Sequence, residues 1–138
     1  MKTLLLIFIF SFYANAIDHS NTAKIYNTIL TKIAKKSSVD VYCDSQEYRE
    51  VLFQSKNINL VDTPYQADII LQTKSSSKFN KNSIIFTTKY YIFKNNSSVI
   101  GAFYWSKGRP QIIFSRQRLH KLNFTLSDEL QKYVVEDF

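Results

Sequence analysis

Apolar side chains at Ala23, Tyr26, Ile29, Leu30 and Ile33 recur every three or four residues. That spacing predicts a helix over Ser20 to Lys36 with one buried stripe, and Lys35-Lys36 sit where cations suit its C-terminal dipole. Val39-Asp40-Val41-Tyr42-Cys43 alternates with period two and predicts a strand. Asp44, with Glu47 three residues on, has the pattern of a capping box opening a helix that runs to about Gln54. Ile58 to Val61, Ala67 to Leu71 and Ile84 to Phe86 are short apolar runs that predict strands, and Lys74 to Asn82 is a polar loop. Tyr90 to Phe93 predicts a helical turn. Val99 to Trp105 and Gln111 to Ser115 flank Lys107-Gly108-Arg109-Pro110 and predict a hairpin. Ser115 to Leu122 and Ser127 to Val135 are predicted as closing helices, the second with Leu130 and Val134 on its apolar face.

Strands and helices in this alternation predict an α/β fold, a three-layer sandwich. Its sheet would be mainly parallel, with helices on both faces and a C-terminal antiparallel hairpin.

The first 16 residues have a different purpose. Lys2 precedes an apolar run from Leu4 to Tyr13, and Ala14-Asn15-Ala16 supplies the small side chains that signal peptidase admits. The run is short of the ~20 residues a membrane span needs. Residues 1–16 are therefore predicted as a cleaved signal peptide and residues 17–138 as one exported domain. The Lys, Asn, Ile, Phe and Ser bias matches an AT-rich bacterial genome, so the predicted location is the periplasm.

Composition removes most enzyme classes. Two glycines, Gly101 and Gly108, cannot build a phosphate loop or a dinucleotide fingerprint. One cysteine rules out a disulfide framework, and with two histidines it leaves no conventional zinc site. Cys43 ends a strand ahead of a predicted helix start, where a thiolate could be activated, and is the one candidate redox thiol. Without a neighbouring base it reads first as a core side chain. No catalytic residue, cofactor or metal is expected.

Charge is more informative. The full chain carries +7, and loss of Lys2 with the leader lowers this to +6. Residues 69–127 contain ten bases and no acid. Such a segment predicts a positive face that attracts acidic partners. Aromatics interleaved with bases also suit nucleic acid, but a periplasm holds little of it, so the predicted partner is an acidic protein. The candidate partner-binding residues are Tyr104, Trp105, Lys107, Arg109, Arg116 and Arg118.

Two stretches are similar to a known family. Ala23-Lys24-Ile25-Tyr26-Asn27 with Ile29 and Ile33 resembles the opening Tyr-Asn helix of the YfiR-like (HmsC-like) periplasmic regulators. Val99-Ile100-Gly101-Ala102-Phe103, then Gln111-Ile112-Ile113-Phe114, then Arg118-Leu119 through Leu122, Leu126-Ser127 and Leu130 resembles that family's closing signature. With Asp68-Ile69-Ile70-Leu71 between them, the resemblance spans about residues 23–135. The chain departs from the family at Ser115, where asparagine is usual, and in having Cys43 alone where some members carry redox-reporting pairs.

The resemblance implies a non-enzymatic regulator that binds the periplasmic sensory domain of a membrane diguanylate cyclase, or of a histidine kinase, and tunes cyclic-di-GMP signalling. A homodimer is compatible with that role. The alternative is a small solute-binding protein with its ligand at the carboxyl ends of the strands, near Cys43-Asp44 and Thr73.

Overall fold

The computed structural model describes residues 20–136. The predicted signal peptide and its cleavage after Ala16 lie outside the described residues. The first element, α1, covers residues 20–34 and ends where Lys35 takes a left-handed φ of 55°. Then follow β1 (Val39–Cys43), α2 (Gln46–Phe53), β2 (Ile58–Leu60), a 3-10 turn at Pro64–Gln66 and β3 (Ile69–Gln72). The second half runs β4 (Ile85–Thr87), α3 (Tyr90–Asn95), β5 (Val99–Ser106), β6 (Arg109–Ser115) and α4 (Arg116–Lys121). A 3-10 helix (Asp128–Tyr133) and β7 (Val134–Val135) complete it.

Among the described residues seven strands form one sheet, in the order β2-β1-β3-β4-β5-β6-β7. All neighbours are parallel except β5 and β6. This is the predicted α/β class, a mainly parallel mixed sheet with an antiparallel hairpin near its C-terminal edge. Burial splits between the two faces. On one, Tyr26, Ile29, Leu30 and Ile33 of α1 and Leu52 of α2 pack on Val39, Val41, Leu71, Phe86 and Phe114. On the other, Ile92 and Phe93 of α3 cover Ile70, Ile85, Val99 and Ala102. Period-two alternation in the strands sends successive side chains to these two cores.

Three local expectations are corrected. Asp44 does not cap α2; Ser45 does, accepting from the Tyr48 N–H at 3.5 Å. Asp44 is drawn instead to four donors across the strand ends. The hairpin closes with only Lys107 and Gly108, at φ 52° and 75°, the pairing of positive φ values that a tight antiparallel turn requires. Arg109 and Pro110 therefore belong to β6. Finally, residues 127–135 do not form an α-helix. The chain tightens into a 3-10 helix and then pairs Val134 and Val135 with Phe114 and Ser115, adding a seventh strand. Leu130 is buried, so the apolar spacing points inward as predicted while the backbone takes a different state.

Gly101 marks a close approach between β5 and β6. A Cβ there would lie 2.5 Å from both the Ile113 carbonyl oxygen and Phe114 Cδ1. The side-chain-free position lets β5 pass beneath the Phe114 ring, which packs 5.7 Å from Phe86. Among the described residues no helix is long and apolar enough to cross a membrane.

Candidate functional site

The β5–β6 hairpin extends past its neighbours. Strand β4 pairs with β5 only up to Ala102, and β7 reaches only Phe114 and Ser115 of β6. From Tyr104 to Gln111 the hairpin is a two-stranded ribbon with both edges open. A two-residue turn makes Ser106 and Arg109 the first hydrogen-bonded pair, so the backbone groups of Trp105 and Pro110 face outward. Pro110 has no N–H to leave unsatisfied, which explains how a proline sits there, and it blunts the β6 edge against indiscriminate strand pairing.

Four of the predicted partner-binding residues stand on this ribbon. Trp105 is 54 % exposed, beside the buried Phe103 at 6.1 Å between ring centroids. Tyr104 points to the opposite face, where its ring meets Tyr90 of α3 at 5.1 Å. Burial, and then the neighbouring Tyr90, raise the Tyr104 phenol above its ordinary pKa, so it stays neutral. Tyr90 and Tyr91 continue that aromatic surface, with the Lys89 ammonium 5.8 Å above the Tyr91 ring. Lys107 and Arg109 are exposed at the tip, and among the described residues neither has an ion-pair partner. The ribbon thus combines an exposed tryptophan, unpaired cations and no carboxylate of its own.

Arg116 and Arg118 do not join it. Arg116 Nε holds Glu136 at 2.6 Å, an acid 20 residues away that the local sequence could not reveal. Arg118 turns inward. It is 9 % exposed, its guanidinium lies 4.7 Å from the Phe93 ring centroid, and Nη1 donates to the carbonyls of Phe93 (2.5 Å) and Val99 (2.9 Å). Desolvation lowers its pKa from the ordinary value. Its expected place on an exposed docking face is corrected: Arg118 is a clamp between α4, α3 and β5.

Cys43 is 2 % exposed, its Sγ–H donates to the Ser45 carbonyl at 3.7 Å, and burial pushes the thiol up to about 11, against a smaller lowering from the Ser45 backbone. An activated thiolate is not what this environment makes.

The strand order reverses between β1 and β3, where open α/β sheets commonly hold ligands. Asp44 and Thr73 do meet there. The Asp44 carboxylate accepts from the Thr73 N–H (2.7 Å), Thr73 Oγ1 (2.6 Å), the Lys74 N–H (3.2 Å) and Ser77 Oγ (2.6 Å). These bonds tie the loop after β3 over the strand ends and fill the acceptor capacity a solute would use. Among the described residues no three His, Cys, Asp or Glu side chains converge as a metal site.

Sequence reasoning did not anticipate the exposure of Phe53 (82 %) and Tyr65 (91 %). Tyr65 carried one usable signal, an aromatic directly after a turn-forming Thr-Pro pair.

No protein-family model matches this chain, and no curated protein is detectably similar to it. Among solved structures, a conserved domain protein from Vibrio cholerae O1 biovar El Tor str. N16961 is similar with a TM-score of 0.61 at 9 % identity. The match covers 83 % of this chain and 59 % of that one, so this chain spans about three-fifths of its length. At that identity the likeness shows a shared fold and nothing about activity.

Proposed function

We propose that the chain is a periplasmic, non-enzymatic regulator of the YfiR-like kind. It would use the β5–β6 ribbon to dock on the acidic sensory domain of a membrane diguanylate cyclase or histidine kinase and tune cyclic-di-GMP signalling. The observation that carries the reading is the ribbon itself. An exposed Trp105 sits just before a turn that carries Lys107 and Arg109, both without an ion-pair partner among the described residues, on a ribbon that projects past its neighbouring strands. Aromatic anchors ringed by charge are where interface energy concentrates, and like-signed cations at a tip accelerate encounter with an acidic surface. The resemblance of the opening helix and closing signature supports the choice of receptor. The solute-binding alternative is weakened by Asp44, which occupies its own crevice.

The test places a photo-crosslinking residue at position 105 in cells exporting the full chain. Crosslinking to a membrane cyclase or kinase from position 105, and not from position 53, is the expected result. With the partner in hand, the double reversal Lys107→Glu and Arg109→Glu should slow association at low salt and flatten its salt dependence. Unchanged association rates in that folded variant, or crosslinks to a transport permease instead, would overturn the proposal. Intact mass of the native protein supplies the check on export: it should match residues 17–138.

A further inference from the structure

The crossover from β3 to β4 contains no helix. Residues 73–84 make the return as a loop, and where a crossover helix would ordinarily cover the sheet this chain leaves a cavity of about 390 Å³. The cavity opens at the amino ends of β3 and β4, the opposite end from the Asp44 crevice. Its volume falls in the range of small-molecule sites. Ile70, Ile84 and Phe79 give it an apolar lining, and Phe79 is fixed edge-on against Tyr42 at 6.0 Å. Tyr65 stands exposed at the rim.

The polar groups on the lining are unequally used. Asp68 is spent: Oδ1 accepts from Lys36 Nζ at 2.7 Å and Oδ2 from the Asp40 N–H at 3.0 Å. Burial would raise its pKa, but Lys36 and the Asp40 amide outweigh that and hold the carboxyl below its ordinary value. Asn80 Oδ1 is taken by the Asn82 N–H at 3.1 Å. What remains without a partner among the described residues is mostly donors: the Lys78 ammonium, the Asn80 and Asn82 amide NH2 groups and the Ser83 hydroxyl, with Asn82 Oδ1 as the one amide acceptor. With Asp68 neutralised, Lys78 is the uncompensated charge of the cavity.

A donor-rich rim with one cation above an apolar lining selects an acceptor-rich anion that carries an apolar body. We infer that this cavity binds a small organic carboxylate. The carboxylate would be held by Lys78 with the amides of Asn80 and Asn82, and its hydrocarbon part would lie against Ile70, Phe79 and Ile84. This site is independent of the hairpin and of the regulatory reading.

The experiment is a titration of the folded chain alone, followed by amide chemical shifts and calorimetry, with sodium benzoate, sodium hexanoate and the neutral isostere benzamide. Benzoate and hexanoate should bind saturably and shift the amides of Ala67 to Ile70 and Lys78 to Ile84, and benzamide should bind roughly tenfold more weakly or not at all. Lys78→Met should lose roughly tenfold in benzoate affinity with the fold unchanged, because Lys78 is exposed and makes no ion pair, and Asn82→Leu should weaken it in the same direction. Lys36→Met frees Asp68 and should also weaken benzoate binding, by repulsion. Absence of saturable binding, equal affinity for benzamide, or insensitivity to Lys78→Met would overturn the inference. None of these outcomes bears on partner docking, which is read by crosslinking.

Discussion

Replacing Arg118 by methionine tests whether the guanidinium is a structural clamp. Methionine keeps the apolar stem and removes the head that bonds the carbonyls of Phe93 and Val99. Each buried carbonyl left without a donor costs about 1–3 kcal/mol. The loss of the ring contact at 4.7 Å adds to this. Against these, the variant no longer desolvates a charge, and that gain offsets part of the loss. The balance is a destabilisation of about 2–4 kcal/mol, a fall in Tm on the order of 10 °C for a domain of this size. Chemical denaturation of wild type and variant measures it directly. Amide exchange at Asn96, whose N–H bonds the Ile92 carbonyl at the end of α3, should rise in parallel. Arg118→Lys keeps the charge but not the planar fork and should fall between the two. A stability change within about 0.5 kcal/mol for Arg118→Met, the range of ordinary surface substitutions, would refute the clamp. The same result would make Arg118→Glu a fair probe of partner docking, whereas a confirmed clamp makes that reversal a folding defect.

Three further outcomes follow from the same geometry. Cys43, with its thiol at about 11, should be about one part in a thousand thiolate at pH 8 and should resist alkylation until the chain unfolds, as followed by mass spectrometry. Because burial raises this folded-state pKa above the unfolded value, the associated stability is complete below about pH 9 and is lost as pH climbs toward 11. Wild type should therefore lose on the order of 2 kcal/mol more than Cys43→Ala across that window. Gly101→Ala should cost about 2–3 kcal/mol in denaturant unfolding, since the new methyl meets the Ile113 backbone oxygen at 2.5 Å. Gly108→Ala meets nothing and should cost only about 1 kcal/mol for its positive φ. Asp44→Ala should cost about 2–3 kcal/mol and accelerate amide exchange at Thr73 and Lys74, the two backbone donors it satisfies. Unaltered exchange there would show that the loop is held by other contacts.

How much was legible along the chain depends on how local the deciding interaction is. Strand β1, helices α1 and α3, the polar β3–β4 loop and the hairpin were all visible as periodicity or punctuation, because each repeats a pattern inside its own window. The capping error arose one residue from the truth. Asp44 and Ser45 are both good caps by type. The choice was made by Thr73, Lys74 and Ser77, about 30 residues downstream, which outbid the helix end for the carboxylate. The last strand failed in the same way. Residues 127–135 have an apolar spacing that suits a helix, yet Val134 and Val135 are two β-branched residues facing an open edge of β6, and pairing there satisfies backbone groups a helix end would leave free.

The candidate surface divides along the same line. The acid-free run of ten bases, the aromatic cluster and the turn between β5 and β6 were written in the sequence, because composition and turn chemistry are properties of a contiguous segment. Which of those bases meets a partner was not. Arg116 and Arg118 are two residues apart and chemically identical, but α4 aims one at Glu136 and the other under α3. Only the packed fold brings an acid from position 136 and carbonyls from positions 93 and 99 to their side chains. The same holds for the cavity beside Tyr65. Its emptiness comes from a crossover without a helix, and its charge comes from Lys36 silencing Asp68 across 32 residues. The sequence by itself determined the α/β class, the positive segment and the absence of the common catalytic signatures. Tertiary structure alone decided which cations stay free, because a charge is available for binding only when no distant group has already satisfied it.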